Sequence, residues 1–287
     1  MMRRSVVLAA AVFVTTSAAF AADATFERTL SVGGVPNLSA QTGSGTIRIH
    51  AGDDRSIHII GHVHSSNGWG LSSHGGDADK VKQIAANPPI AQSGNDVTVG
   101  ERHSSDLYRN ISIDYEMSVP RGTRLTLGSG SGDIEVQEVG ANLKASTGSG
   151  SIRARGVQGP ANLDSGSGDI EFEQTAPGDV RVQTGSGSIR LHDLAGGLRA
   201  GTGSGDIEAS GKITADSKLE TGSGSIRLNL GPGARFNLDA STGSGTIRTA
   251  QAIAMQGEIN KHRVMGTVNG GGPTLRASTG SGDIEIR

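Results

Sequence analysis

Apolar side chains recur in this chain at alternate positions over short stretches, separated by glycine, serine and threonine. Aligning on one isoleucine column (Ile47, Ile134, Ile152, Ile170, Ile189, Ile207, Ile226, Ile247, Ile284) places Ile49, Val136, Ala154, Phe172, Leu191, Ala209, Leu228, Thr249 and Ile286 two residues later. That spacing of two is the period of a β-strand with one face buried. Nine and seven residues before the Ile stand the pairs Leu38/Ala40, Leu125/Leu127, Leu143/Ala145, Ala161/Leu163, Val180/Val182, Leu198/Ala200, Ser217/Leu219, Leu238/Ala240 and Leu275/Ala277, which predict a second strand in each unit. Helical spacing fits neither stretch.

Between the two strands lies Gly-Ser-Gly, whose first glycine falls at 43, 130, 148, 166, 185, 203, 222, 243 and 280. From 130 to 222 the steps are 18, 18, 19, 18 and 19. The last gap, of 37, is two periods, and Gly266-Thr267-Val268 reads as a degraded copy inside it. A period near 20 without helical signal is that of a solenoid, whose coils bury their apolar faces only by stacking. The inward set of the second strand ends on Thr or Ser five residues before the Ile, at an odd offset, whereas the Ile and its partner sit at even offsets. The parity of the chain therefore flips within Gly-Ser-Gly. A bulge or corner with left-handed glycine is the expected device, and stacked coils approach closely there, where β-carbons would clash.

Residues 26–120 are less regular. Phe26–Val32, Thr46–His50, Ser56–His64, Asp96–Gly100 and Ile111–Val119 read as strands. Asp77–Asn87 reads as a short helix with Asp77 as N-cap, Val81, Ile84 and Ala85 on one side, and Pro88-Pro89 as the stop. The stretch is expected to hold the first coils and a cap, interrupted by an insertion at 65–108. The fold class is thus all-β: a parallel β-helix (β-solenoid) with coils of about 18–19 residues and one short helix in an N-terminal insertion. The division expected is a signal peptide at 1–21, N-terminal coils and cap at 22–120, and regular repeats at 121–287, with 22–287 one continuous domain. The hand of the solenoid stays open.

Charge alternates along this frame. The residue after the Ile runs Glu135, Arg153, Glu171, Arg190, Glu208, Arg227, and the residue before it Asp133, Ser151, Asp169, Ser188, Asp206, Ser225. Equivalent residues of successive coils stack about 4.8 Å apart, so alternation gives each carboxylate an Arg on either side, and a one-coil slip would set Glu on Glu. Each exposed pair is worth only about 0.2–1 kcal/mol, but the row is long. The pattern lapses at Arg227/Arg248, followed by Asn269 and Glu285.

The chain opens with Arg3 and Arg4, an apolar run from Val6 to Phe20, and Ala19-Phe20-Ala21, which together read as a secretory signal peptide cut after Ala21. Its removal leaves 24 basic residues against 28 acidic ones, a balance that argues against nucleic acid or an anionic membrane as partner. No later run is long enough to span a bilayer. With no cysteine, disulfides and thiolate-bound metal are excluded. Glycine supplies 45 of 287 residues and aromatics only 3%, so bulky packing is not the source of the core.

Candidate chemistry is sparse. Gly-Ser-Gly-Asp differs from the calcium-binding solenoid pattern, because Asp appears only on alternate coils and Ca²⁺ needs many oxygen ligands. The glycines precede strands rather than helices, which excludes a phosphate loop. Asp169 and Asp206 should lie two coils, about 9–10 Å, apart, near the upper limit for an inverting glycosidase pair; Arg190 between them favours two ionised groups and so disfavours a general acid. His58, His62 and His64 share strand parity, with His50 on the preceding strand and His74 in the loop. They read either as a transition-metal site or as a solvent-facing row opposite Ile57, Ile59 and Val63. Trp69 reads as a packing residue or as one that stacks on a sugar or partner. The chain stops at Ile284-Glu285-Ile286-Arg287 inside a strand, so an open edge is expected there, blunted by Asp283, Glu285 and Arg287 or used to dock a partner or a second copy.

The segments YEMSVPRGTRLTLGSGSGDIEV (115–136), the repeated TGSGDIE/TGSGSIR coils and GTVNGGGPTLRASTGSGDIEI (266–286) resemble the bacterial putative-adhesin family, a domain-of-unknown-function family of Gly-rich β-solenoids in exported and envelope-anchored proteins. The resemblance spans roughly residues 25–287 and brings no catalytic residues. It implies a non-enzymatic structural or adhesion-type module, with no cofactor and no metal, in the periplasm or at the cell surface. The expected partner is an envelope or surface component, a glycan among the candidates, with self-association through the C-terminal strand edge as a second possibility and nucleic acid excluded. The alternative is a carbohydrate-binding or carbohydrate-active β-helix.

Overall fold

A computed structural model describes residues 23–65, 76–100, 106–255 and 262–287. Residues 1–21, expected as a signal peptide, lie outside the described residues, as do Trp69 and His74. Two long sheets face each other, one carrying the Ile columns and the other the Leu/Ala pairs, referred to below as the Ile sheet and the Leu sheet. Their inward side chains form one continuous core running from Phe26 to Ile286. Along most of their length both sheets are parallel and in register, Ile on Ile and Leu on Leu, which is the β-solenoid expected.

The corner works as the parity demanded, through two successive outward residues: Thr147 is buried, Gly148 and Ser149 are exposed, and Ile152 is buried again. The corner glycines divide between the two needs expected: Gly224, Gly245 and Gly282 have φ of 156°, 151° and 152°, in the region that favours glycine. Gly148, Gly150, Gly166 and Gly168 are not in the left-handed region. A β-carbon on Gly150 would instead fall inside the carbonyl of Gly132 in the coil below, and one on Gly168 would meet Gly150 in the same way. Close backbone stacking therefore selects glycine here. Each buried hydroxyl fastens the same corner, as when Thr147 Oγ1 donates to the Gly132 carbonyl at 2.9 Å and Thr202 Oγ1 to that of Gly187 at 2.9 Å.

The coils do not stack in chain order. In the Ile sheet the strand Ile47–Ala51 lies between Ile111–Val119 and Ile134–Gln137, so the first coil sits inside a later one. At the other end Ile284–Ile286 lies between Ile226–Asn229 and Ile247–Thr249. The Leu sheet does the same, with Thr274–Ser281 between Ser217–Ser223 and Phe236–Ser244. The open edge expected at the C-terminus is thus not there. Both flanks of the last strand are bonded: Leu230 N donates to Arg287 O at 3.0 Å and Ala250 N to Ile286 O at 2.9 Å. The edges at this end are Ile247–Thr249 and Ile253–Met255. Gly266-Thr267-Val268 is likewise no coil; Arg263–Val268 runs antiparallel to Phe236–Ser244.

At the N-terminal end the Ile sheet continues with the antiparallel strands Ser56–Ser65 and Asp23–Ser31. The helix, Gly76–Ala86, packs against both, and its Val81 and Ile84 join the core. It starts one residue before Asp77, which falls in its first turn. Within 65–108, Ile90–Ser93 and Asp96–Val99 are strands of the Leu sheet, the latter pairing with Asn37–Thr42.

Candidate functional site

The outward face of the Ile sheet is a row of alternating charge. In spatial order it reads Glu116, Arg48, Glu135, Arg153, Glu171, Arg190, Glu208, Arg227, Glu285, Arg248, each in register with the next. In chain order Glu116 precedes Glu135 and Arg227 precedes Arg248, two like-charge steps. Intercalation of the first and last coils places Arg48 into the first gap and Glu285 into the second. The lapse read from the sequence is therefore absent in space.

The neighbouring row alternates Asp with Ser or Thr, and each Asp secures the following coil. Asp133, Asp169 and Asp206 each accept the backbone N–H of Ser151, Ser188 and Ser225 at 2.8 Å. Asp114 accepts from Thr46 N at 2.6 Å and Asp283 from Thr246 N at 2.8 Å. The Thr246 backbone bond, then its hydroxyl, holds the Asp283 carboxyl below its ordinary range. Arginines reach the same carboxylates: Arg227 to Asp206 at 3.3 Å and Arg190 to Asp169 at 3.9 Å. Glu171 accepts from Arg155 at 2.7 Å, and this bond lowers its pKa.

These contacts account for the carboxylates that a hydrolase would need. Asp169 and Asp206 each spend one oxygen on the next coil's backbone and face an Arg with the other. The histidines also separate. His58, His62 and His64 point away from the buried Ile57, Ile59 and Val63, as a solvent-facing row would. Their partners lie on adjacent strands: Thr29 for His58 Nδ1 at 3.1 Å, Thr25 for His62 Nδ1 at 3.2 Å, and Asp114 for His64 at 3.9 Å. His50 is exposed on its own strand, across from Ser118. No group of three metal-ligating side chains occurs among the described residues.

The outward face of the Leu sheet is arranged on another principle, which sequence reasoning centred on the Ile column missed. One row there reads Lys144, Asn162, Arg181, Arg199, Lys218, Arg276, Asp239. Four cations stand in register on four successive strands, about 4.8 Å apart. All are exposed. Lys218 reaches Glu220 at 2.8 Å. Among the described residues, Arg181, Arg199 and Arg276 hold no ion pair. Three nearby carboxylates are committed elsewhere: Asp179 to Gly197 N, Asp216 to Thr274 N and Asp239 to Arg263. The signal was present in the sequence as a basic residue after the first inward residue of five second strands, at Lys144, Arg181, Arg199, Lys218 and Arg276.

The family model described as Toastrack DUF4097 matches residues 35–287. Among solved structures, a putative adhesin of Bacteroides fragilis is similar at 13% identity and a TM-score of 0.45, covering 92% of this chain and 97% of that one. A putative adhesin of Parabacteroides distasonis is similar at 12% identity and a TM-score of 0.43, with 92% and 97% covered. No curated protein matches the chain.

Proposed function

The chain belongs to the Toastrack DUF4097 family, and we propose that it is exported and serves as a non-enzymatic structural or adhesion-type β-solenoid of the bacterial envelope. The observation that supports this reading is the unbroken charge row of the Ile sheet together with the Asp row beside it, whose carboxylates are bonded to the next coil. A surface of this kind offers repeated shallow contacts along a rod. The leader at 1–21 supports export to the periplasm or cell surface. No helix among the described residues is long and apolar enough to cross a membrane.

Fractionation of cells expressing the full chain, followed by binding of the chain from Ala22 onward to isolated envelopes, tests the reading. Export and saturable envelope binding are expected; retention in the cytoplasm with no binding would contradict it. A carbohydrate-binding role is the second reading, favoured by the unmatched cations on the Leu sheet.

A further inference from the structure

We propose that the basic row Lys144, Arg181, Arg199, Lys218 and Arg276 is a docking track for a linear acidic polysaccharide, with one carboxylate-bearing sugar ring per strand step from Arg181 to Arg276. The proposal rests on the envelope-module reading and names the ligand class for it.

Like charges directly opposite one another on neighbouring strands destabilise a sheet. On the Ile sheet this chain avoids them along the whole row. On the Leu sheet it stacks Arg181 on Arg199, Arg199 on Lys218 and Lys218 on Arg276. The same coils build both faces, so the repeat does not force the arrangement, and an anionic partner supplies what it lacks. Arg181, Arg199, Lys218 and Arg276 run in single file at the spacing of strands, with Lys144 two strands from Arg181 across Asn162, which fits a thin polymer that carries charge along its length. Hydroxyl and amide groups flank them on the same outward face, among them Ser146, Gln183 and Ser278. Such groups hydrogen-bond sugar hydroxyls. A nucleic acid duplex or an anionic bilayer calls for a broad positive field, whereas this row is bordered by Asp164 and Glu220 and the whole chain is slightly acidic.

Isothermal titration of the chain from Ala22 onward with an oligogalacturonate long enough to span the row tests this. Binding is expected, weakening at least about tenfold between low and high salt because exposed charges are screened. Combining Arg181→Gln, Arg199→Gln, Lys218→Gln and Arg276→Gln should lower affinity about tenfold or more, and Arg199→Gln alone about 1.5- to 5-fold, the range for exposed ion pairs. Arg153→Gln with Arg190→Gln on the Ile sheet should leave binding unchanged. Equal affinity in the fourfold variant, equal loss in both variants, no binding, or tighter binding to single-stranded DNA or phosphatidylglycerol vesicles would overturn the proposal. If oligogalacturonate fails while isolated envelopes still bind, the track is wrong and the envelope reading stands; if both fail, both are wrong.

Discussion

Glu285 stands in register beside Arg227, although the chain reaches it only after building a further coil and an antiparallel excursion. On its other flank is Arg248. The last coil thus enters between two coils that precede it, and its charge is the one those two arginines require. Reversing a charge at the end of the row should show this. Arg248→Glu is expected to cost about 0.5–1 kcal/mol in urea denaturation, because it meets Glu285. Adding Glu285→Arg to it should cost no more than Arg248→Glu alone, a coupling that additivity does not allow. Were the coils stacked in chain order, Arg248→Glu would relieve Arg227 and stabilise the fold.

The corner glycines should divide by position. Gly150→Ala drives a methyl into the Gly132 carbonyl and is expected to cost about 3 kcal/mol, at the upper end for overpacking. Gly43, whose β-carbon position is open, should accept Ala with a change of less than about 0.5 kcal/mol. Thermal melts of the two variants check the contrast.

Tyr115 is buried against the edge of Phe26, with ring centroids 6.4 Å apart, and its hydroxyl has no partner among the described residues. Tyr115→Phe should raise stability by about 1 kcal/mol, since an unpaired buried hydroxyl costs its desolvation. Burial, reinforced by Tyr108, raises the pKa of this group above its ordinary range. The folded chain keeps the proton where the unfolded chain releases it, so its contribution is complete below a pH of about 10 and lost as pH rises further. The Phe variant should lose less stability on going from pH 9 to 11 than the parent, measured by urea midpoint.

The basic row carries a cost that a single substitution should reveal. Arg199→Glu places a carboxylate between Arg181 and Lys218 and is expected to raise stability by about 0.5–1 kcal/mol. A melting temperature that falls instead would mean the row is not under repulsion.

How far the sequence spoke depends on which interaction is local. The Ile and Leu columns, the parity flip at Gly-Ser-Gly and the alternating Glu and Arg were legible because each lies within one coil, and the helix because its apolar spacing and Pro88-Pro89 are local too. Coil order was not legible, since parallel pairing constrains which columns stack but not which coils are neighbours. The like-charge step from Arg227 to Arg248 held that information and was read as a lapse. The open edge expected at Ile284–Arg287 came from the chain stopping inside a strand, and stacking in chain order was assumed there; a bonded inner strand is found instead. Gly266-Thr267-Val268 failed for a related reason: its spacing suited a coil, but antiparallel pairing with Phe236–Ser244 took it. At the candidate site, the outward parity of His58, His62 and His64 followed from Ile57, Ile59 and Val63. The cations of the Leu sheet were legible too, since the column Val180, Leu198, Ser217 already sets Arg181, Arg199 and Lys218 in register, but the alternation beside the Ile column drew attention to the other face.

Coil order can be read directly by cross-linking, because the chain contains no cysteine to compete. In the Arg227→Cys/Glu285→Cys variant the two thiols lie on adjacent strands about 4.8 Å apart, within the range a disulfide spans. Mild oxidation should close that bond, seen as faster migration on a non-reducing gel and loss of free thiol. The Arg227→Cys/Arg248→Cys variant, two strands apart, should stay reduced. Closure of the second pair with the first left open would contradict the intercalated order.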